Sequence, residues 1–397
     1  MFNKFKVIKI NIVIFCTFSF LIGLSIDAAG FEIDATEINN FKQKYSNGKI
    51  KILIVPGHDK EYFGTQFKTI KEEVFNLQLA TDLYNYFKAD PHFDAYITRD
   101  TRGYLPIFQN YFTDKKESIE KFVSLSNDWF GDIFPDFQWV DGIDHNAAKK
   151  EVALRLFGIN AWANENNIDL VIHVHFNDYA GRKKNSIGDY SGFSIYIPEK
   201  QLNNYYFSSE IANSVFPNLK KLLAVSDIPK EDKGIVEDQQ LIAIGPKNTL
   251  FSPSMLIEYG YIYDSYVLSS SIRKLVFKEL AYSTYTGVIK YFDPGADILE
   301  STLLPYKWSS GLIYGLKNNK DVLSLQLALL KEGVYPPMGS NLKDCPITGN
   351  FLKCTKLAIN EFQEKYGDEI LNLAGLNSGS GIVGRLTLKK LNNLYSK

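Results

Sequence analysis

Cysteine is scarce in this chain. Three in 397 residues are too few for a disulfide-stapled fold or a four-cysteine metal site. An excess of either charge is missing too. Forty-four Lys and Arg face 45 Asp and Glu, a formal net charge of −1, which argues against a dedicated nucleic-acid binder. Beyond residue 30 no apolar run is long enough to cross a bilayer. What the chain does have is core material. Hydrophobic residues make up 45% and aromatics 14%, which excludes a disordered or collagen-like chain. Its length predicts two or three domains.

Lys4, Lys6 and Lys9 precede an uncharged stretch at 12–26, IVIFCTFSFLIGLSI. A basic start before an apolar run shorter than the ~20 residues of a spanning helix reads as a secretory signal over 1–30. Asp27 stands where cleavage favours a small residue, so the segment is either removed or kept as a membrane anchor. On both readings the rest of the chain works outside the cytoplasm, in the wall, the periplasm or the medium. Cys16 lies inside the run, without the small residues a lipoprotein site needs. Cys345 and Cys354 lie in the exported part, where an oxidising compartment permits a disulfide. Two buried thiols are the alternative.

Strands and helices alternate along the middle of the chain. A β-branched strand at 49–55 ends in the turn Pro56-Gly57-His58-Asp59, and a helix follows at 72–87. A strand at 93–98 ends at Arg99-Asp100. Residues 101–145 are rich in aromatics, have no clean period and read as an insertion or lid. A helix at 149–166, strands at 169–175 and 192–197, a helix at 208–223, a strand at 254–259 and a helix at 272–292 complete the series. This pattern predicts an α/β domain over 49–292, with a mostly parallel twisted sheet and helices on both faces. Residues 293–318 read as a linker and 319–397 as a small all-α domain.

Among the five histidines, His58, His92, His145, His173 and His175, two stand out. His58 and His175 sit at carboxyl ends of predicted strands, the edge where open α/β sheets bind ligands. Glu258 holds a comparable position, and Glu72 or Glu73 opens the helix after the first strand. Two imidazoles and two carboxylates can therefore converge on one rim. Zinc suits such a set, because catalytic zinc often takes two histidines and a glutamate and leaves a position open. It polarises a carbonyl and acidifies water, while a second carboxylate moves the proton to a leaving amine. The chemistry implied is amide hydrolysis. Glu258 lies in the apolar run MLIEYGYI, where an unpaired charge is costly. Its alternative role is a salt bridge, with Arg99 as the candidate partner.

PGHD at 56–59, EEVFNLQLA at 72–80, ITRD at 97–100, WANENNIDLVIHVHFN at 162–177 and LIEYGYI at 256–262 resemble, in order, the motifs of the zinc-dependent N-acetylmuramoyl-L-alanine amidases of the amidase-3 family. Those enzymes cut the bond between the lactyl group of muramic acid and L-alanine in peptidoglycan. The resemblance covers about 49–292. It implies zinc ligands His58, Glu72 and His175, with Glu258 catalytic. Glu72 is preferred to Glu73 because it lies four residues before Asn76, as in the family. The sequence departs from the family at several points. Val55 replaces an aspartate and Asp59 a glycine in DPGHGG. His173 stands where the family often has serine, as a neighbour supporting the ligands or as a rival ligand. The family's arginine shortly before Ala163-Asn164 is missing, and Arg155 lies about one turn too early. The insert is longer than usual and ends in Asp144-His145, which could reach the site.

Residues 319–397 resemble a three-helix peptidoglycan-binding domain, through Asp321-Val322 with Leu325-Gln326, Gly349 with Thr355 and Phe362-Gln363, and Gly381 with Thr387 and Leu391-Asn392. Each glycine suits a tight turn and each threonine can cap the next helix. Tyr335 could stack on a sugar or peptide. GSGIVG at 379–384 matches GxGxxG, but no strand precedes it and no βαβ unit can follow, so it is not a dinucleotide site. The main expectation is an exported zinc amidase tethered to peptidoglycan by its tail. The alternatives are a non-catalytic wall-binding or regulatory protein on the same fold, and a zinc hydrolase of another cell-wall amide.

Overall fold

The computed structural model describes residues 35–133, 136–143, 145, 148–299 and 301–396. The signal or anchor expected over 1–30 and Asp144 lie outside them. In chain order the elements are helix α1 (Ala35–Asn47), strand β1 (Ile50–Pro56), a small hairpin of β2 (Gln66–Phe67) and β3 (Ile70–Lys71), α2 (Glu72–Ala89), β4 (Phe93–Ile97), α3 (Pro106–Asp114), α4 (Lys116–Ile133) and α5 (Lys150–Glu165). Then come β5 (Leu170–Asn177), β6 (Ser194–Pro198), α6 (Tyr205–Lys220), β7 (Ile235–Asp238), β8 (Ser254–Tyr261), α7 (Ser265–Leu268), α8 (Ser270–Phe292), α9 (Lys320–Lys331), α10 (Lys353–Lys365), α11 (Gly367–Ala374) and α12 (Arg385–Tyr395).

Six strands form one sheet in the order β4-β1-β5-β8-β6-β7. β4, β1, β5 and β8 run parallel; β6 is antiparallel to β8, and β7 is parallel to β6. Side chains alternate between the faces of a strand, and the core follows that period. Ile52 and Ile54 of β1, Ile172 and Val174 of β5, and Met255 and Ile257 of β8 pack under the helices of one face, with Leu79 of α2, Val215 of α6 and Phe277 of α8. Leu53, Val55 and Val171 turn to the other face, against Phe108 of α3 and Trp162 of α5. The layering thus matches the α/β expectation, with helices on both faces.

Some elements differ from the sequence reading. A helix, α1, precedes β1 where the sequence reading placed no element; it stacks Tyr45 on Phe292 at 5.0 Å and presses Phe41 on the same ring at 5.2 Å. The short strand β7 was not anticipated. The insert at 101–145 is largely two helices, α3 and α4, with Phe108 buried against α5. Its return runs past β6 and β7, where the Gln138 and Val140 amides donate to Gln201 and Gln239, and Lys230 reaches Asp141.

The segment 293–318 carries no helix or strand among its described residues, yet it is no loose tether. Trp308 is 2% exposed, and its indole donates to the Asp321 carbonyl at 2.9 Å. Leu312 bridges to Val383. The core of α9–α12, including Leu323, Leu327 and Ile347, runs on into Val276 and Leu280 of α8 without a break. Cys345 and Cys354 are joined by a disulfide. The two Gly…Thr segments fold alike, though neither threonine is an N-cap residue. The Gln326 side chain accepts from the Gly349 amide and donates to Thr355; Gln363 does the same with Gly381 and Thr387. The GSGIVG stretch is one of these anchored turns.

After β8 the chain turns through Asp264, whose carboxylate accepts from the Tyr261 amide at 2.8 Å and is buried. Burial raises its pKa from 3.8 to about 7. The folded state therefore holds this proton more tightly than the unfolded chain. Its cost is absent below about pH 4, grows as pH rises toward 7, and is then constant at about 4 kcal/mol, at ~1.4 kcal/mol per pKa unit. The substitution Asp264→Asn should raise Tm at pH 8 and leave it unchanged near pH 4. Melts at the two pH values check this, and an equal shift at both would refute it.

Candidate metal centre

The strand period that builds the core also builds the site. His175 is on the face of β5 opposite Val174 and Phe176, at the carboxyl end of the strand. Glu258 is its register partner on β8, on the same face. β1 delivers His58 through Pro56-Gly57, where the Gly57 amide donates to the Val174 carbonyl at 2.9 Å. Glu72 is the first residue of α2, at the same edge of the sheet. The structure brings His58, Glu72 and His175 together, with one ligand atom of each within 4.8 Å of the others. His58 Nε2 is 3.1 Å from Glu72 Oε2, and His175 Nδ1 is 3.2 Å from Glu72 Oε1. This cluster can hold a metal ion. Two imidazoles and one buried carboxylate match the donor set zinc prefers.

The surroundings fix each donor. The Asn76 side-chain amide donates to Glu72 Oε1 and to the Gly57 carbonyl, both at 3.0 Å, and the Thr65 amide donates to Glu72 Oε2 at 3.0 Å. Glu73 is turned away, toward Arg99 at 3.7 Å. Two glycines admit the rings. A Cβ on Gly57 would lie 2.2 Å from the His175 ring, and one on Gly64 would lie 2.2 Å from Glu72 Oε2. His58 itself has φ 59°, left-handed for a non-glycine residue.

Charge follows from burial and neighbours. For Glu72, burial pushes its pKa up, but the two imidazoles outweigh that and hold it well below the carboxylate range. Burial lowers the pKa of His175, so it stays neutral and able to bind a cation. For His58 burial also pulls downward, yet the Glu72 carboxylate beside it leaves the net shift upward. Glu258 is raised well above its usual value, chiefly by burial, then by the charges of Glu72 and Glu231.

Glu258 does not pair with Arg99, the alternative its sequence context raised. Arg99 is spent on the Pro56, Gly57 and Glu73 carbonyls and on the Glu73 carboxylate. Glu258 Oε2 is buried without a hydrogen-bond partner. A residue the sequence did not reveal stands nearby. Glu231, 2% exposed, accepts from Tyr196 on β6 at 2.5 Å and from Asn177 on β5 at 3.2 Å. Since β8 runs between β5 and β6, Glu231 bridges over the strand that carries Glu258. Its sequence, PKEDKG, looks like a solvated turn.

The other histidines separate from the cluster. His173 shares the face of His175 but is fully buried, and burial, with His175 beside it, lowers its pKa to about 3. His145, 23% exposed at its side chain, pairs with Asp238 at 2.6 Å. His92 pairs with Asp90 at 2.8 Å and stacks on Tyr45.

No protein-family profile and no curated protein matches the chain. Solved structures of N-acetylmuramoyl-L-alanine amidases do. One from Clostridium difficile 630 is 18% identical, with 62% of this chain and 99% of that one covered and a TM-score of 0.39. The catalytic domain of the amidase CwlV from Bacillus (Paenibacillus) polymyxa var. colistinus is 14% identical, with 62% and 98% covered and a TM-score of 0.38. The amidase Ami1 from Mycobacterium smegmatis is 12% identical, with 62% and 97% covered and a TM-score of 0.39. Likeness at this level does not decide an activity, which has to come from the chemistry of the site itself.

Proposed function

We propose that the chain is an exported, zinc-dependent amidase that hydrolyses the bond between N-acetylmuramic acid and L-alanine in peptidoglycan. The convergence of His58, Glu72 and His175 beside the unpaired carboxyl of Glu258 carries the reading. The choice of substrate rests on the resemblance of the ordered motifs.

Zinc held by His58, Glu72 and His175 would supply Lewis acidity toward a carbonyl oxygen and toward water. The rest of the chemistry belongs to side chains. Glu258 takes a proton from the attacking water and hands it to the nitrogen of the leaving L-alanine as the amide bond breaks. A carboxyl whose surroundings raise its proton affinity is suited to that second step. Asn76 and the Thr65 amide keep Glu72 aimed at the ligand position, as partners behind metal ligands commonly do. The C-terminal helices would hold the enzyme on the wall and raise the local substrate concentration.

The test uses residues 31–397, assayed for bound metal and for release of stem peptides from wall glycan. About one zinc per chain and peptides with a free L-alanine amino terminus are expected, since zinc binding here needs one set of three ligands. Absence of both would end the proposal. Wall binding without hydrolysis in added zinc would select the non-catalytic reading, and products cut elsewhere would select another cell-wall amide.

A further inference from the structure

Two departures from the amidase pattern meet in space. Asp59 stands where a glycine was expected, directly after His58, and Arg155 stands one turn before the expected arginine. Arg155 Nη1 lies 2.7 Å from Asp59 Oδ2, and Nη2 lies 2.6 Å from Glu61 Oε2. We propose that Arg155 is a positioning residue for His58, clamping the loop after it so that the imidazole is held in place to bind zinc. This inference rests on the zinc reading above.

The loop gives the clamp its leverage. Asp59 is 8% exposed, and its Oδ1 already accepts the Glu61 and Tyr62 amides at 2.9 and 2.8 Å. The Asp59 amide in turn donates to the Tyr62 carbonyl at 3.1 Å. One carboxylate therefore closes the turn with one oxygen and receives the guanidinium with the other. A buried charge of this kind is stable only while its partner is present. The guanidinium is also fixed, lying 5.5 Å from the ring centre of Tyr62 and 5.9 Å from that of Tyr104. It projects from α5, which is anchored in the core by Trp162 and Ala163. The rigid helix thus grips the residue next to a ligand whose own backbone is in the left-handed region, a conformation that persists only when its surroundings enforce it. A Gly-Gly pair after the histidine would leave that loop free; here the aspartate and the arginine together stiffen it.

The experiment compares wild type with Arg155→Ala, Arg155→Lys, Asp59→Asn and Glu61→Gln in the full exported chain. Zinc affinity is read by chelator competition, the cobalt-substituted protein by its visible spectrum, and the metal-free fold by its melt. Arg155→Ala should weaken zinc binding ~10-fold, the size found when a partner behind a metal ligand is lost. It should also alter the cobalt spectrum and lower kcat while KM holds. Asp59→Asn keeps the turn but loses the charge, so it should behave like Arg155→Ala. Lysine at 155 reaches only one carboxylate and should restore part of the affinity. Glu61, 61% exposed at its side chain, should matter little. Wild-type zinc affinity and an unchanged cobalt spectrum in a folded Arg155→Ala protein would overturn the clamp while leaving the zinc reading intact. A wild type that binds no zinc would overturn both.

Discussion

The substitution Glu258→Gln is expected to lower kcat by roughly 10²–10⁴-fold, the usual worth of a general acid–base group, while zinc stays bound. The side chain keeps its size, so the pocket should not collapse. A neutral amide can neither accept the proton of water nor return one to an amine. The same change should stabilise the metal-free fold. Glu258 is half-buried with one carboxyl oxygen sealed from solvent, and its ionised form is opposed by burial and by the charges of Glu72 and Glu231. Its folded pKa is raised, so the cost is absent below the unfolded pKa and grows as pH rises. The gain in Tm should therefore appear at neutral and alkaline pH and fade in acid. A structural glutamate would behave in the opposite way, losing stability with its charge. Retained turnover would remove Glu258 from the reaction, and a lowered Tm at pH 8 would show that it is paired.

The strand period makes much of this legible in the sequence alone. Alternation in KIKILIV and DLVIHVH puts Ile50, Ile52 and Ile54 with Leu170, Ile172 and Val174 on one face and leaves His175 on the other. The four groups at the site could thus be placed on one edge from positions alone. Position alone leaves Glu72 and Glu73 equivalent, because adjacent acids at a helix start differ only in direction; the spacing to Asn76 favours Glu72, and the structure turns Glu73 toward Arg99. Glu231 was illegible for another reason. It is held by Tyr196 and Asn177 across the sheet, and a lysine-rich turn gives no sign that one of its acids faces inward. The helices of the insert were missed although α3 packs its aromatics on α5, with Phe108 against Trp162 and Phe112 over Gly158. Arg155 and Asp59 each read as a defect alone, and only their pairing shows that one answers the other.

Gly64→Ala should abolish most metal binding although residue 64 is itself no ligand. Its φ is 72°, which an alanine adopts only with strain of ~1 kcal/mol or more. Strain alone would not reach the metal. The added Cβ, however, would fall 2.2 Å from Glu72 Oε2 and 2.5 Å from His58 Cδ2. Glu72 has no room to yield, because Thr65 and Asn76 hold its two oxygens and the chain there is the buried start of α2. His58 must then swing outward, against the turn that Asp59 closes. Two of the three proposed ligands move at once, so zinc affinity should fall at least ~100-fold, the upper end for changes next to a metal ligand. Gly103→Ala separates the two effects. It too has positive φ, 142°, but nothing lies within 4 Å of its added Cβ. That variant should lose a little stability and keep its zinc. If both variants melt earlier and both bind zinc like wild type, the crowded triad is not where the ion sits.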